Sequence, residues 1–164
     1  MNLTKIDYRK WESKKAVYDF LMNQQKKINK VCFNNALTEI DVQVHPMTGR
    51  VDLFNNLFCG GKYLPAGKGL KPQIILFPCA LLNKDVAKRG LAHGMIHHWE
   101  HSFNDNPNGW NYPEELNEIV YQRFKGKRTS REALWRERHS SRFLAKAYQV
   151  ARKLNISLEN FLFG

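Results

Sequence analysis

His93 and His97 stand four residues apart in the run Leu91-Ala-His-Gly-Met-Ile-His-His-Trp-Glu-His101. On a helix this spacing sends both imidazoles out of one face about one turn apart, which suits two ligands of a single metal ion. It is the interval of the H-E-x-x-H zinc motif, in which the glutamate beside the first histidine is the general base. In this chain that position is Gly94. His101 repeats the interval, but it lies roughly 12 Å along the axis from His93, too far to share one ion comfortably. Glu100 shares a face with His93 but is about two turns away, too far to replace a residue adjacent to the first ligand. A zinc site with three protein ligands holds them at about 2.0–2.3 Å and keeps a fourth position for water, so a third ligand must come from another segment. His139, in Arg138-His-Ser-Ser-Arg-Phe143 at the entry to a later helix, is the best candidate.

The elements that must hold these residues are legible as hydrophobic periods. Residues 8–30 read as an amphipathic helix, with Trp11, Val17, Tyr18, Leu21, Met22 and Ile28 on one face and lysines on the other. Leu37, Ile40, Val42 and Val44 alternate with polar residues, which predicts a half-buried strand over 36–45 ending at His45-Pro46, with His45 a strand-end residue. Val51 to Phe58 is a second strand, and Cys59-Gly-Gly-Lys-Tyr63 turns into a short third one. Residues 65–72 form a Gly/Lys loop that lacks the order of a nucleotide-binding loop. Gln73-Ile-Ile-Leu-Phe-Pro78 is an apolar strand.

The histidine helix is expected over about 84–103, capped by Asn83 or Asp85, with Val86, Leu91, Met95 and Phe103 toward the core and Ile96 and Trp99 beside them. Asn104 to Pro113 is turn-rich, and a short helix follows from Glu114 to about Phe124. Lys125-Gly-Lys-Arg-Thr-Ser130 is a basic connection. The rest is helical, with a break near His139-Ser-Ser and a last stripe of Phe143, Leu144, Ala147, Val150 and Leu154.

A chain of 164 residues with 43% hydrophobic content builds one core, so a single domain over 1–164 is expected. Nothing approaches the ~18 apolar residues of a membrane span and the first residues lack a signal-peptide core, which points to an intracellular, cytoplasmic protein without a membrane partner. Cys32, Cys59 and Cys79 are odd in number and widely spaced, so reduced structural thiols are expected rather than disulfides or a zinc ribbon. The net charge of +11 is uneven: residues 1–30 carry +5, residues 31–119 carry −2 and residues 120–164 carry +8. Basic ends around a near-neutral middle point to a polyanion, DNA or another nucleic acid, with Lys125, Lys127, Arg128, Arg131 and Arg136 as contacts.

A strand Gln73-Ile-Ile-Leu-Phe77, then His93-Gly-Met-Ile-His97-His-Trp, then His139-Ser-Ser-Arg-Phe143 resembles the SprT-like zinc metalloproteases. In that family a strand precedes a helix bearing H-E-[ML]-x-H, and a later [GR]-H-[GS]-x-x-F segment brings the third histidine. The resemblance covers most of residues 10–155, with its specific motifs confined to 91–101 and 138–143. It implies an α+β, zincin-like domain: a small, mainly antiparallel sheet packed by an N-terminal helix and the motif helix, plus a helical C-terminal part. It also implies Zn2+ on His93, His97 and His139, and a peptidase acting on proteins bound to DNA.

The chain departs from the family by lacking the C-terminal four-cysteine ribbon of many bacterial members, and by Gly94. The glutamate of the related enzymes takes a proton from zinc-bound water and passes it to the leaving amine, a contribution of roughly 10²–10⁴-fold. Gly94 costs the helix about 1 kcal/mol relative to Ala. Three accounts of it stay open: a substitution introduced to silence a protease, a naturally inactive relative that kept its metal, or a base supplied from elsewhere. A second class of reading is a non-catalytic, zinc-containing nucleic-acid-binding or regulatory module. A third is an HNH-type nuclease, on His97-His98 followed by Asn111 and Asn117. His98 is expected to point away from the metal pair toward the surface or nucleic acid, and His101 to bond an outer carboxylate. Trp99, Trp110 and Trp135 read as core or lid residues. Glu114, Glu115 and Glu118 read as a solvated helix start.

Overall fold

The computed structural model describes residues 11–44, 61–103, 113–127 and 129–163. Among them the chain is α+β, with six helices and a small three-stranded sheet. None of these helices is long and apolar enough to cross a membrane.

Helix α1 spans Lys14–Phe33, started by Ser13 Oγ, which accepts from the Ala16 N–H at 3.0 Å. It ends where Asn34 and Asn35 turn left-handed, at φ 53° and 59°. Val17, Leu21, Gln25, Ile28 and Cys32 form its buried stripe, at the helical spacing expected. Trp11 precedes the helix instead of lying in it. Its ring is buried and its indole N–H donates to the Leu81 carbonyl at 3.0 Å, a partner the ring needs once it leaves water.

The strand expected over 36–45 is shorter than its pattern. Strand β1 is Asp41–Val44. The backbone before it is taken by two amides of α1. Asn29 accepts from the Leu37 N–H at 3.1 Å and donates to the Leu37 carbonyl at 2.9 Å. Gln25 does the same at Ile40, accepting at 3.1 Å and donating at 2.9 Å. Leu37 and Ile40 are buried as their pattern implies, but their peptide groups pair with side chains and do not join a ladder.

Strand β2 is Gly61–Leu64 and β3 is Gln73–Leu76. The order is β1-β3-β2, with β1 parallel to β3 and β2 antiparallel to it, so Ile74 faces Val42 on one side and Tyr63 on the other. The sheet of the described residues is therefore mixed, where a mainly antiparallel one was expected. β2 and β3 join through the short 65–72 loop as a hairpin, whereas β1 reaches β3 by a connection long enough to return in parallel. The turn expected at 59–63 is in part strand, because Gly61 to Tyr63 already pair with β3. The expected strand Val51–Phe58, along with His45, Cys59, Trp110 and Asn111, lies outside the described residues.

A 3₁₀ turn over Pro78–Leu81 leads to α2, Lys84–Ser102, capped by Asn83, whose side chain accepts from the Val86 N–H at 3.0 Å. Ala87, Leu91, Ala92, Gly94, Met95, Ile96, His98 and Trp99 are buried, more than one face of a surface helix requires, because sheet, α1 and the C-terminal helices all pack on α2. The C-terminal part comprises α3, Glu115–Phe124; α4, Thr129–Arg138; α5, Ser141–Lys153; and α6, Leu158–Phe163. The break at His139-Ser140 falls where expected. The separate α6 does not: Asn155 turns left-handed at φ 54° and folds Leu158, Phe161 and Leu162 back onto the core.

Gly94 is where α2 meets the sheet. A Cβ built there would stand 2.9 Å from Ile74 Cδ1, 2.9 Å from Cγ1 and 3.0 Å from Cγ2. Ile74 is only 1% exposed on the central strand, so it has little room to give way. A residue poor for the helix is thus required by the packing. Gly94→Ala is expected to gain no stability and to lose up to about 2 kcal/mol, because an overpacking cost of ~1–3 kcal/mol offsets the ~1 kcal/mol that Ala brings to the helix. Urea melts of Gly94→Ala, Ile74→Ala and the double variant check this. The double variant should be more stable than the sum of the singles implies, by roughly 0.5–3 kcal/mol of coupling.

Candidate metal centre

His93 and His97 leave α2 on one face, and His139 stands at the break between α4 and α5. The three rings converge. His93 Nε2 lies 3.1 Å from His139 Nε2 and 3.2 Å from His97 Nε2. Three nitrogens bound tetrahedrally to one ion at 2.0–2.1 Å would be about 3.3 Å apart, close to what is seen. Among the described residues these three are the group of His, Cys, Asp or Glu side chains whose ligand atoms cluster in this way, all within 4.8 Å of one another.

The tautomer of the third ligand is set by its surroundings. His139 Nδ1 is 2.8 Å from the Trp135 carbonyl, which can only accept, so Nδ1 carries the proton and Nε2 presents its lone pair to the cluster. The Trp135 ring stacks on the imidazole at 4.5 Å and 23°. Phe143 forms an apolar floor under all three rings, 5.0 Å from His93, 4.5 Å from His97 and 4.7 Å from His139. His139 is buried, and His93 and His97 are half-buried, so the cluster is walled by the core yet reaches solvent.

These surroundings keep the rings neutral. Burial, then the neighbouring His97 and His139, holds His93 well below the ordinary histidine range. Burial, then His139, brings His97 down to about 3. His139 is lowered to about 4 by burial, partly opposed by its bond to Trp135, with Arg138 lowering it further. Lone pairs facing one another at this distance repel unless a proton or a cation stands among them. With protons disfavoured, the donor set fits a divalent cation that accepts imidazole, of which Zn2+ is one.

The remaining sequence-derived residues fall elsewhere. His98 is not at the surface as expected: it is 4% exposed. Its Nε2 is 3.1 Å from Thr38 Oγ1, and its Nδ1 is 3.0 Å from Tyr63 Oη and 3.3 Å from Ser102 Oγ. It ties α2 to β2 and to the segment before β1, because residue 98 sits about 100° round the helix from 97 and that direction points into the sheet side. Burial, then His101, lowers its pKa. His101 is exposed, edge-on to the Tyr63 ring at 6.3 Å. Tyr63 itself stacks parallel to His97 at 6.4 Å. His97 faces His93, His139 and Phe143, whereas His98 bonds Thr38 and Ser102, with Tyr63 against both.

Trp99 and Trp135 are core residues as expected, and Glu114, Glu115 and Glu118 are exposed. Cys32 is a buried free thiol, its pKa raised by burial against the pull of Lys153, Lys146 and Lys88. Of the basic residues, Lys125 and Arg131 are exposed and Lys127 is half-buried. The Lys127 ammonium is lowered by desolvation and by Arg123 and Arg131, so three cations crowd together there. Arg136 is paired with Glu132 at 3.0 Å, and Arg128 lies outside the described residues. Sequence reasoning missed the roles of Trp135, Phe143, Thr38 and Tyr63. The four-residue spacings of Trp135 before His139 and of Phe143 after it were the available hints.

Set against family models, curated proteins and solved structures, the chain matches none.

Metal-free protein should lose stability as pH falls from about 6.5 toward 3–4. The cluster is neutral when folded, while the unfolded histidines take up protons in that window, so acid favours unfolding by up to about 1.4 kcal/mol per pH unit for each ring. Thermal melts after exhaustive chelation, run across pH 4–8, check the slope. His139→Ala should flatten it and should reduce the uptake of divalent metal read by elemental analysis.

Proposed function

We propose that this chain is a SprT-like zinc domain, zincin-like in arrangement, directed at proteins associated with DNA and impaired in peptide cleavage at Gly94. The observation that carries the reading is the convergence of His139 on His93 and His97, with Nε2 separations of 3.1 and 3.2 Å between residues 46 and 4 apart in sequence. A motif helix and a later histidine segment need not meet, and in this fold they do.

When bound, Zn2+ would supply Lewis acidity toward a carbonyl oxygen and lower the pKa of water. The protein's part is to hold three neutral imidazoles with fixed lone pairs, to floor the site with Phe143, and to leave one side open. What it does not offer at position 94 is a carboxylate, and Ile74 occupies the space where that side chain would begin. The packing favours a glycine that the fold has accommodated over one introduced to silence an otherwise complete protease. The exposed Lys125 and Arg131, with Arg123 and Lys127 beside them, supply a cationic surface for phosphate.

The second reading, a metal-containing nucleic-acid-binding or regulatory module without peptidase activity, is favoured by that same packing, since a site selected for turnover has no reason to fill the base's place with Ile74. Gly94→Glu combined with Ile74→Ala separates the two. Under the peptidase reading the double variant gains chelator-sensitive cleavage of DNA-bound protein or of itself, while Gly94→Glu alone folds poorly. A double variant that holds zinc, binds DNA and cleaves nothing would establish the module instead. Binding to DNA should weaken steeply with salt, and Lys125→Glu with Arg131→Glu should reduce the slope of log K against log salt by about 0.9 for each phosphate that is no longer neutralised.

A further inference from the structure

Glu100 and Arg142 each stand at the unfavourable end of their own helix. Glu100 lies in the last turn of α2 and Arg142 at the start of α5, where the helix dipole disfavours an anion and a cation respectively. Each serves the other helix. Glu100 Oε1 accepts a hydrogen bond from Ser140 Oγ. Ser140 Oγ in turn accepts from the Phe143 N–H at 3.1 Å, as N-cap of α5. α5 has no acid of its own in its first turn, so Glu100 is the carboxylate its N-terminus receives. Arg142 donates to the Glu100 carbonyl at 3.1 Å and to the Phe103 carbonyl, both at the C-terminal end of α2. Its guanidinium also lies 4.4 Å from the centroid of the Trp99 ring, on the same helix.

These crossed contacts join the end of α2 to the start of α5, and the residue immediately before Ser140 is His139. The Trp135 carbonyl orients the His139 ring relative to α4, but it says nothing about where that ring stands relative to α2. The exchange of Glu100 and Arg142 fixes the start of α5 against the end of α2, alongside the packing of Phe143 under all three rings. We infer that Glu100 and Arg142 are positioning residues for the third metal ligand, borrowing each other's helix ends to hold His139 against His93 and His97. A pair that breaks a local helix rule in two helices at once, with the compensation crossing between them, is where a site is expected to be held. The inference rests on the reading of the three histidines as a metal site and is independent of whether that site cleaves peptides.

The test is zinc affinity, measured by competition with a chromophoric chelator, together with the visible absorption of the Co2+-loaded protein, which reports ligand geometry. Glu100→Ala and Arg142→Ala should each weaken Zn2+ by up to about 10-fold, the low end of what loss of a group bonded directly to a ligand costs, and should change the Co2+ band. Glu100→Gln should recover most of the affinity, because its amide oxygen still accepts from Ser140. Glu137→Ala, on the exposed face of α4, should bind as the parent does. Parent-like affinity and an unchanged Co2+ band in both alanine variants, even with lowered melting temperatures, would make the contacts merely structural and overturn the inference. A glutamine variant as weak as the alanine one would overturn the hydrogen-bond route. Absence of zinc binding in the parent would instead remove the metal reading itself, an outcome distinct from either.

Discussion

The closeness of α2 to β3 at Gly94 is the constraint on which the rest of the structure depends. With no Cβ at 94, the helix settles onto Ile74 of the central strand, and the contact leaves no space between the two elements. That depth turns His98 inward to Thr38 and Tyr63 and leaves His93 and His97 on the flank facing α5. A helix one methyl group farther out would shift every one of these side chains together, because packed interiors transmit displacement instead of absorbing it. The same glycine is what allows the histidine helix to be seated where it is.

Around that contact the fold matches several polar groups across elements. Gln25 and Asn29 of α1 each hold both peptide groups of a residue in the segment before β1. Trp11 reaches the carbonyl of Leu81, His98 ties a helix to a strand and a loop, and Glu100 and Arg142 exchange helix ends. Each bond is worth only about 0.5–1.5 kcal/mol net, yet leaving any of the buried groups unmatched would cost about 1–3 kcal/mol, so their main effect is to exclude other arrangements of the same elements. A three-histidine site needs that exclusion, since its ligands come from α2 and from the α4–α5 break and burial is what keeps them neutral into the acid range.

Much of this architecture was legible from spacing. Val17, Leu21 and Ile28 marked α1, Asn83 marked the start of α2, and the break at His139-Ser140 was evident between two helical patterns. Where the pattern misled, a competing interaction can be named. Leu37 and Ile40 alternate like strand residues and are buried like them, but side-chain amides took their backbone groups. Trp11 fits the helical stripe, but Ser13 caps the helix after it. α6 merged with α5 in the sequence because a left-handed Asn155 is a conformation that residue adopts often enough to be used and seldom enough not to be assumed.

By itself the sequence determined the local items: which segments are helical, which histidines share a helical face, that a glycine follows the first of them, and that the basic residues lie toward the two ends. These follow from periodicities of 3.6 and 2 and from side-chain chemistry, both of which act within a few residues. Only the tertiary structure decided that His139 meets His93 and His97, that His98 faces inward, and that Gly94 is held by Ile74. Most of those contacts join residues tens of positions apart. Their existence depends on how closely whole elements pack, which no local period encodes.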